Sequence, residues 1–142
     1  MNSIVKKIAL IAFPINFLWE MGQMPFYSNM SYNLVNTLYC TVASAGDVLM
    51  ISLIYISVSL IIKDERWIYK KTNNGLVLAI IIGLLLAFLV EFAALNLGLW
   101  AYSNRMPIIG NIKVGLFPII QMVLLPYIVF YIIKITQQKV LN

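Results

Sequence analysis

Four long apolar runs, at about Ile8 to Tyr27, Val35 to Ile62, Leu76 to Tyr102 and Leu116 to Ile135, leave this chain little choice of fold. Each is near or above the roughly 20 residues that a helix needs to cross about 30 Å of hydrocarbon. Within a bilayer the backbone must satisfy its own N–H and C=O groups, which a helix does within one segment. The expectation is an all-α integral membrane protein, a four-transmembrane-helix bundle forming a single domain over residues 1–142. The apolar fraction of 62% excludes an ordinary soluble domain, where about 45 to 50% is usual. Pro14, Asn16 and Glu20 interrupt the first run. Lys6 and Lys7 ahead of it mimic a secretory leader, but no small-x-small cleavage site precedes Trp19-Glu20, so it is read as an uncleaved first span. The second and third runs are long enough to tilt or protrude.

Orientation follows from the positive charges, which are retained on the cytoplasmic side. Lys6 and Lys7 precede span one, Lys63, Arg66, Lys70 and Lys71 lie between spans two and three, and Lys134 and Lys139 follow or end span four. Only Arg105 and Lys113 fall on the other side. This distribution predicts that both termini are cytoplasmic, with 28–34 and 103–114 outside, in a plasma membrane of bacterial type. The net charge of +5 is then a topology signal, and no nucleic acid partner is expected. Asp64 and Glu65 are expected to pair with neighbouring cations, and Trp67 and Tyr69 to anchor at the interface.

Several chemistries lack their residues. The chain has no histidine, which removes the commonest metal ligand and general base. Cys40 alone forms neither an internal disulfide nor a zinc site, and reads as a small buried apolar residue. No phosphate-binding glycine loop or serine-nucleophile elbow is present. No cofactor and no metal site are expected, with one alternative: Met21, Met24, Met30, Met106 and Met122 fall toward the outer side, and thioethers suit Cu(I).

Against this background Glu20, Asp47 and Glu91 stand out, because each interrupts a lipid-soluble run. A carboxylate near mid-bilayer costs at least roughly 2.5 to 3.5 kcal/mol, and such residues usually serve function. At about 1.5 Å per residue, the three acids and Gln121 fall roughly 8 to 18 Å below the outer ends of their spans, in one layer. Asn16, Glu20, Gln23 and Tyr27 recur at four, three and four residues, one helical stripe. Thr37, Thr41, Ser44 and Asp47 form a second. The small segment Ala43-Ser44-Ala45-Gly46 beside Asp47 would let another helix approach. Pro118 and Pro126 in span four free backbone carbonyls that a polar cavity could satisfy. The amides and hydroxyls also suit plain interhelical hydrogen bonding. The acids suit it less, since an amide would serve at lower cost and no Lys or Arg lies at their depth. The acids are therefore expected to hold a proton among them.

The stretch Gly98-Leu99-Trp100-Ala101-Tyr102, followed by Phe117-Pro118-Ile119-Ile120-Gln121, resembles the small lycopene cyclase domain of bacteria and fungi. That family shows Gly-x-Trp-x-aromatic, a loop, and a helix opening Pro-x-Glu-Glu; Ile120 and Gln121 stand here in place of the Glu pair. The region from Glu91 onward is also similar to the carotenoid 1,2-hydratases, and Asn16-Phe17-Leu18-Trp19-Glu20 to the Asn-x-x-Trp-Glu stretch of the fungal meroterpenoid cyclases. The resemblance implies an enzyme of the lyase or isomerase type that protonates an isoprenoid or carotenoid from a membrane carboxylate. Because single-chain relatives have about seven spans, it also implies a homodimer or a partner membrane subunit.

The candidate catalytic residues are Glu20, Glu91 and Asp47, with Asn16, Trp19, Gln23, Trp100, Tyr102 and Gln121 as candidate substrate contacts. A protonated carboxylic acid is a general acid, and aromatic faces tolerate the cation it creates. The expected partners are the bilayer and a lipophilic small molecule. A small proton-coupled transporter or channel needs the same buried acids, and a structural subunit whose acids meet a partner chain is a further alternative.

Overall fold

In a computed structural model, which describes residues 1–70 and 73–141 with side chains to 137, the chain is predominantly helical. Helix α1 spans Asn2–Gln23, α2 Leu34–Ile62, α3 Asn74–Asn96 and α4 Leu116–Leu141. Short 3-10 turns at Met24–Phe26, Trp67–Tyr69 and Gly110–Ile112 link them. Three stretches, Leu34–Ile62, Asn74–Asn96 and Leu116–Gln137, are long and apolar enough to cross a membrane. Helix α1, carrying Lys6, Lys7 and Glu20 as well as Pro14, does not reach the same apolarity. Lys71 and the side chain of Lys139, both used in the orientation argument, lie outside the described residues.

Helix α1 packs on α2 and α4, and α3 packs on the same two, closing a four-helix ring. Its main core is aliphatic and aromatic: Ile8 of α1, Ile51, Ile54, Tyr55 and Val58 of α2, and Val129, Phe130 and Ile133 of α4. Leu10, Leu49, Leu85 and Leu89 face outward and are well exposed. An apolar exterior of this kind suits lipid and not water.

The close helix approach comes from α3, whose buried face is Gly75, Ala79, Gly83, Ala87, Glu91 and Ala94. Small residues every fourth position let a neighbour's backbone come near. A Cβ at Gly83 would stand 2.5 Å from the Met122 carbonyl oxygen of α4. Pro126 has no N–H to give that carbonyl, so it turns against the α3 backbone instead. The small segment predicted for this role, Ala43 to Gly46 on α2, contributes only Ser44 to the interior; Ala43, Ala45 and Gly46 are exposed.

The all-α class fits, with one small addition in the last loop: Ile108–Ile109 (β1) pairs antiparallel with Val114–Gly115 (β2), and Tyr27 bridges Tyr102. Two expectations need correction. The third helix ends at Asn96 and does not run to Tyr102, because Gly98 takes a left-handed φ of 67°. Leu99 N–H then reaches back to Ala94 O at 2.9 Å and Gly98 N–H to Leu95 O at 3.3 Å, the paired bonds of a glycine-terminated helix. Finally, Trp67 is no interfacial anchor. Its ring lies between Tyr55 and Phe130, and its Nε1 donates to Ser59 Oγ at 3.1 Å.

At this end Asp64 finds a neighbouring cation as expected, whereas Glu65 pairs with no Lys or Arg neighbour among the described residues but with the chain's first residue. Lys70 Nζ is 2.8 Å from Asp64 Oδ2, and the N-terminal ammonium pairs with Glu65. Lys134 Nζ donates to Lys70 O at 2.9 Å, so the basic residues of the loop and of α4 share one end of the bundle.

Candidate functional site

At the opposite half of the bundle the polar stripes of α1 and α2 meet Gln121 of α4. Gln121 is buried, and its Nε2 lies 2.8 Å from Asp47 Oδ2, 3.0 Å from Glu20 Oε1 and 3.1 Å from Asn16 Oδ1. One amide nitrogen has two hydrogens, so three acceptors share two donors. Gln23 Nε2 donates to Glu20 Oε1 at 2.6 Å and to Gln121 Oε1 at 3.2 Å. Trp19 Nε1 donates to Gln23 Oε1 at 3.2 Å, and Asn16 Nδ2 returns to Ala12 O of its own helix at 2.8 Å. Six of the nine candidate residues thus form one continuous network spanning α1, α2 and α4.

The network exists because the helical periods are obeyed. Asn16, Glu20 and Gln23 are consecutive on one face of α1, and an inward Asn16 with no exposure fixes which face that is. On α2 the outcome divides. Thr37, Thr41 and Ser44 each return their hydroxyl to a carbonyl four residues back, so they are satisfied locally. Asp47 alone on that stripe reaches across to α4.

Glu91, Trp100 and Tyr102 form a second group. Tyr102 Oη donates to Glu91 Oε2, and Trp100 Nε1 approaches the same oxygen at 3.3 Å. The Tyr102 oxygen accepts in turn from Gly115 N–H at 3.0 Å. The early end of α3 makes this possible, since the chain after Gly98 doubles back and lays residues 100–102 beside the last turns of its own helix. The loops at this end of the bundle are stitched together there. Ser28 N–H donates to Ala101 O at 2.8 Å and Ser103 N–H to Phe26 O at 2.9 Å. Tyr27 and Tyr102 rings lie 5.5 Å apart. A side chain at position 115 would collide with Tyr102, its Cβ only 2.9 Å from Cζ.

The two groups are neighbours, with Glu91 in electrostatic range of Glu20 and Asp47, but no hydrogen bond joins them among the described residues. Glu91 lies about five residues, roughly 8 Å, from its helix end, not the eleven residues that a helix running to Tyr102 implied. No cation reaches any of the three acids among the described residues; the ion pairs are those at the other end of the bundle. Carboxyl groups joined through amides and held away from cations can keep a proton and pass it over a short distance.

The sequence reading overlooked three backbone participants: the Gly115 N–H, the left-handed Gly98, and the Gly83 surface that brings α4 close. Glycine just beyond an apolar helical run, and small residues at a spacing of four, were the available signals. Cys40 is buried and unpaired. The chain matches no family model, no curated protein and no solved structure.

Proposed function

We propose that this protein is a four-span integral membrane protein with both termini in the cytoplasm, in which Glu20 and Asp47 act as a proton-donating pair on a lipophilic, isoprenoid-type molecule. The observation that carries the reading is the Gln121 amide, which holds two carboxyl groups from different helices in the bundle interior where, among the described residues, no cation neutralises them. An alkene or epoxide becomes a carbocation only when a strong acid meets it away from competing water. Trp19 beside Glu20, and Trp100 and Tyr102 beside Glu91, offer aromatic faces to such a cation. Glu91, already receiving Tyr102 and Trp100, stands beside the pair, and the donor role falls to Glu20 or Asp47. The active unit is a homodimer or a complex with another membrane subunit, in a plasma membrane of bacterial type.

Lipid extraction and mass spectrometry of cells with and without the gene test this reading. A cyclised, isomerised or hydrated lipid should appear with the gene and vanish in Glu20→Gln and Asp47→Asn, whose amides keep shape without that acidity. Unchanged lipids, with proton-dependent uptake or efflux in vesicles, would replace the enzyme by a transporter. Labelling of Asn104→Cys from outside and Asn73→Cys from inside, in a Cys40→Ser background, tests the orientation.

A further inference from the structure

Between α1 and α2 runs a groove of about 390 Å³, lined by Ala9, Leu10, Phe13, Pro14, Ala45 and Val48. It is a groove open along the outside of the bundle, not an enclosed cavity. Every wall is apolar, and Leu10, Pro14 and Ala45 are exposed to the surroundings of the bundle. On α1 the groove lies along the face that leads to the acid network, since Ala9, Phe13, Asn16 and Glu20 recur at spacings of four, three and four. On α2 its wall is Ala45 and Val48, roughly 100 to 160° round the helix from Asp47, so Asp47 is not part of the wall.

One polar group belongs to this groove. Pro14 sits inside α1 and has no N–H, so the Leu10 carbonyl lacks its partner four residues on. No side chain donates to it among the described residues. A carbonyl left open toward hydrocarbon is costly, and a ligand donor would relieve that cost. The other helix-interior proline gives the contrast: the Met122 carbonyl that Pro126 frees is covered by the Gly83 backbone, whereas Leu10 lines a groove.

We propose that the α1–α2 groove binds an uncharged lipid alcohol, its apolar chain along Phe13 and Val48 and its hydroxyl donating to the Leu10 carbonyl. This rests on the proton-donor reading only in taking the occupant to be the substrate whose reacting portion reaches Glu20 or Asp47. The alcohol, and not an acid or ammonium, is selected because the walls carry no charge and the one free group is an acceptor. A phospholipid tail would fill the walls but has no donor to offer.

The test uses the full-length protein in phosphatidylcholine nanodiscs with a diazirine-bearing C20 polyunsaturated alcohol, and maps the crosslinks by mass spectrometry. Label should concentrate on residues 9–14 and 45–48. The unlabelled alcohol should compete better than its methyl ether by roughly two- to tenfold, the usual worth of one hydrogen bond. Ala45→Trp should abolish the label, and Leu49→Trp, one turn on at an exposed position, should leave it intact. Pro14→Ala restores an N–H for Leu10 and favours the helix, so the fold survives while the preference for alcohol over ether disappears. Label spread evenly over the exposed leucines, equal competition by ether and alcohol, or a preference that persists in Pro14→Ala would each overturn the proposal. Groove labelling that stays intact while Glu20→Gln and Asp47→Asn leave cellular lipids unchanged would refute the donor reading and leave the site standing.

Discussion

Replacing Gln121 by leucine is the most informative single perturbation of the acid network. The substitution conserves approximate volume, so the loss is that of the amide. Asp47 Oδ2 and Asn16 Oδ1 lose the side-chain donor that reaches them, at 2.8 and 3.1 Å, while Glu20 Oε1 keeps Gln23 at 2.6 Å. Two acceptors are therefore orphaned, each at about 1–3 kcal/mol when buried, or roughly 2–6 kcal/mol together. Hydrogen bonds between membrane helices average only about 0.6 kcal/mol in double-mutant cycles, because the unfolded chain in lipid also finds partners. Three such bonds give about 2 kcal/mol, the lower edge of the same range, so about 2–3 kcal/mol is the expected loss. Reversible unfolding in mixed micelles, followed by far-ultraviolet circular dichroism as the denaturing detergent is raised, measures it. Pairing the substitution with Asp47→Leu should recover part of the loss, since the second change removes one orphan. A loss below about 0.5 kcal/mol, or additivity of the two substitutions, would refute the claim that Gln121 holds the network together.

Gly83→Ala should destabilise the bundle by about 1–3 kcal/mol in the same assay, because its Cβ would meet the Met122 backbone carbonyl, which cannot rotate away as a side chain could. Gly22→Ala, where a Cβ meets nothing within 4 Å, is the matched control and should be neutral or stabilising. Tyr102→Phe removes a donor from Glu91 and an acceptor from Gly115, so hydrogen exchange at the Gly115 amide should accelerate while the core amides of α2 stay protected. In the loop at the other end, the Lys70 ammonium and the Arg66 backbone N–H hold the Asp64 carboxyl below its usual range. Its stabilising effect is therefore present above the ordinary carboxylate pKa of about 3.9 and is lost as pH falls through the lower folded value. A carboxyl-carbon NMR titration should find the midpoint depressed, and Lys70→Ala should return it toward the ordinary value.

Much of the architecture is legible in one dimension. A helix in lipid must be long, apolar and internally bonded, and each of those conditions is local, so α2 begins and ends within a residue of its apolar run. The stripe of Asn16, Glu20 and Gln23 is equally local, since three residues at helical spacing share a face whatever surrounds them. Even the true end of α3 was marked, by Gly98, but the apolar residues beyond it, Leu99, Trp100 and Ala101, continue the hydropathy and hide the stop.

What the local pattern leaves open is the rotation of each helix about its axis and the return path of each loop, and these select the partners. Asp47 reaches Gln121 while Thr37, Thr41 and Ser44 on the same stripe bond to their own backbone. That division follows from where α4 crosses α2, which depends on contacts such as Gly83 against the Met122 carbonyl. Glu91 joins Tyr102 and Trp100 because the chain turns back at Gly98 and is stitched to residues 26–28. Trp67, whose loop position suggested an interfacial ring, is instead drawn into the core by Tyr55, Phe130 and the space above Gly75. Hydropathy and period thus determined the helices and the polar faces, because solvent and backbone geometry act residue by residue. The tertiary structure decided which acids share a donor, because that depends on the summed packing of four helices that no single segment encodes.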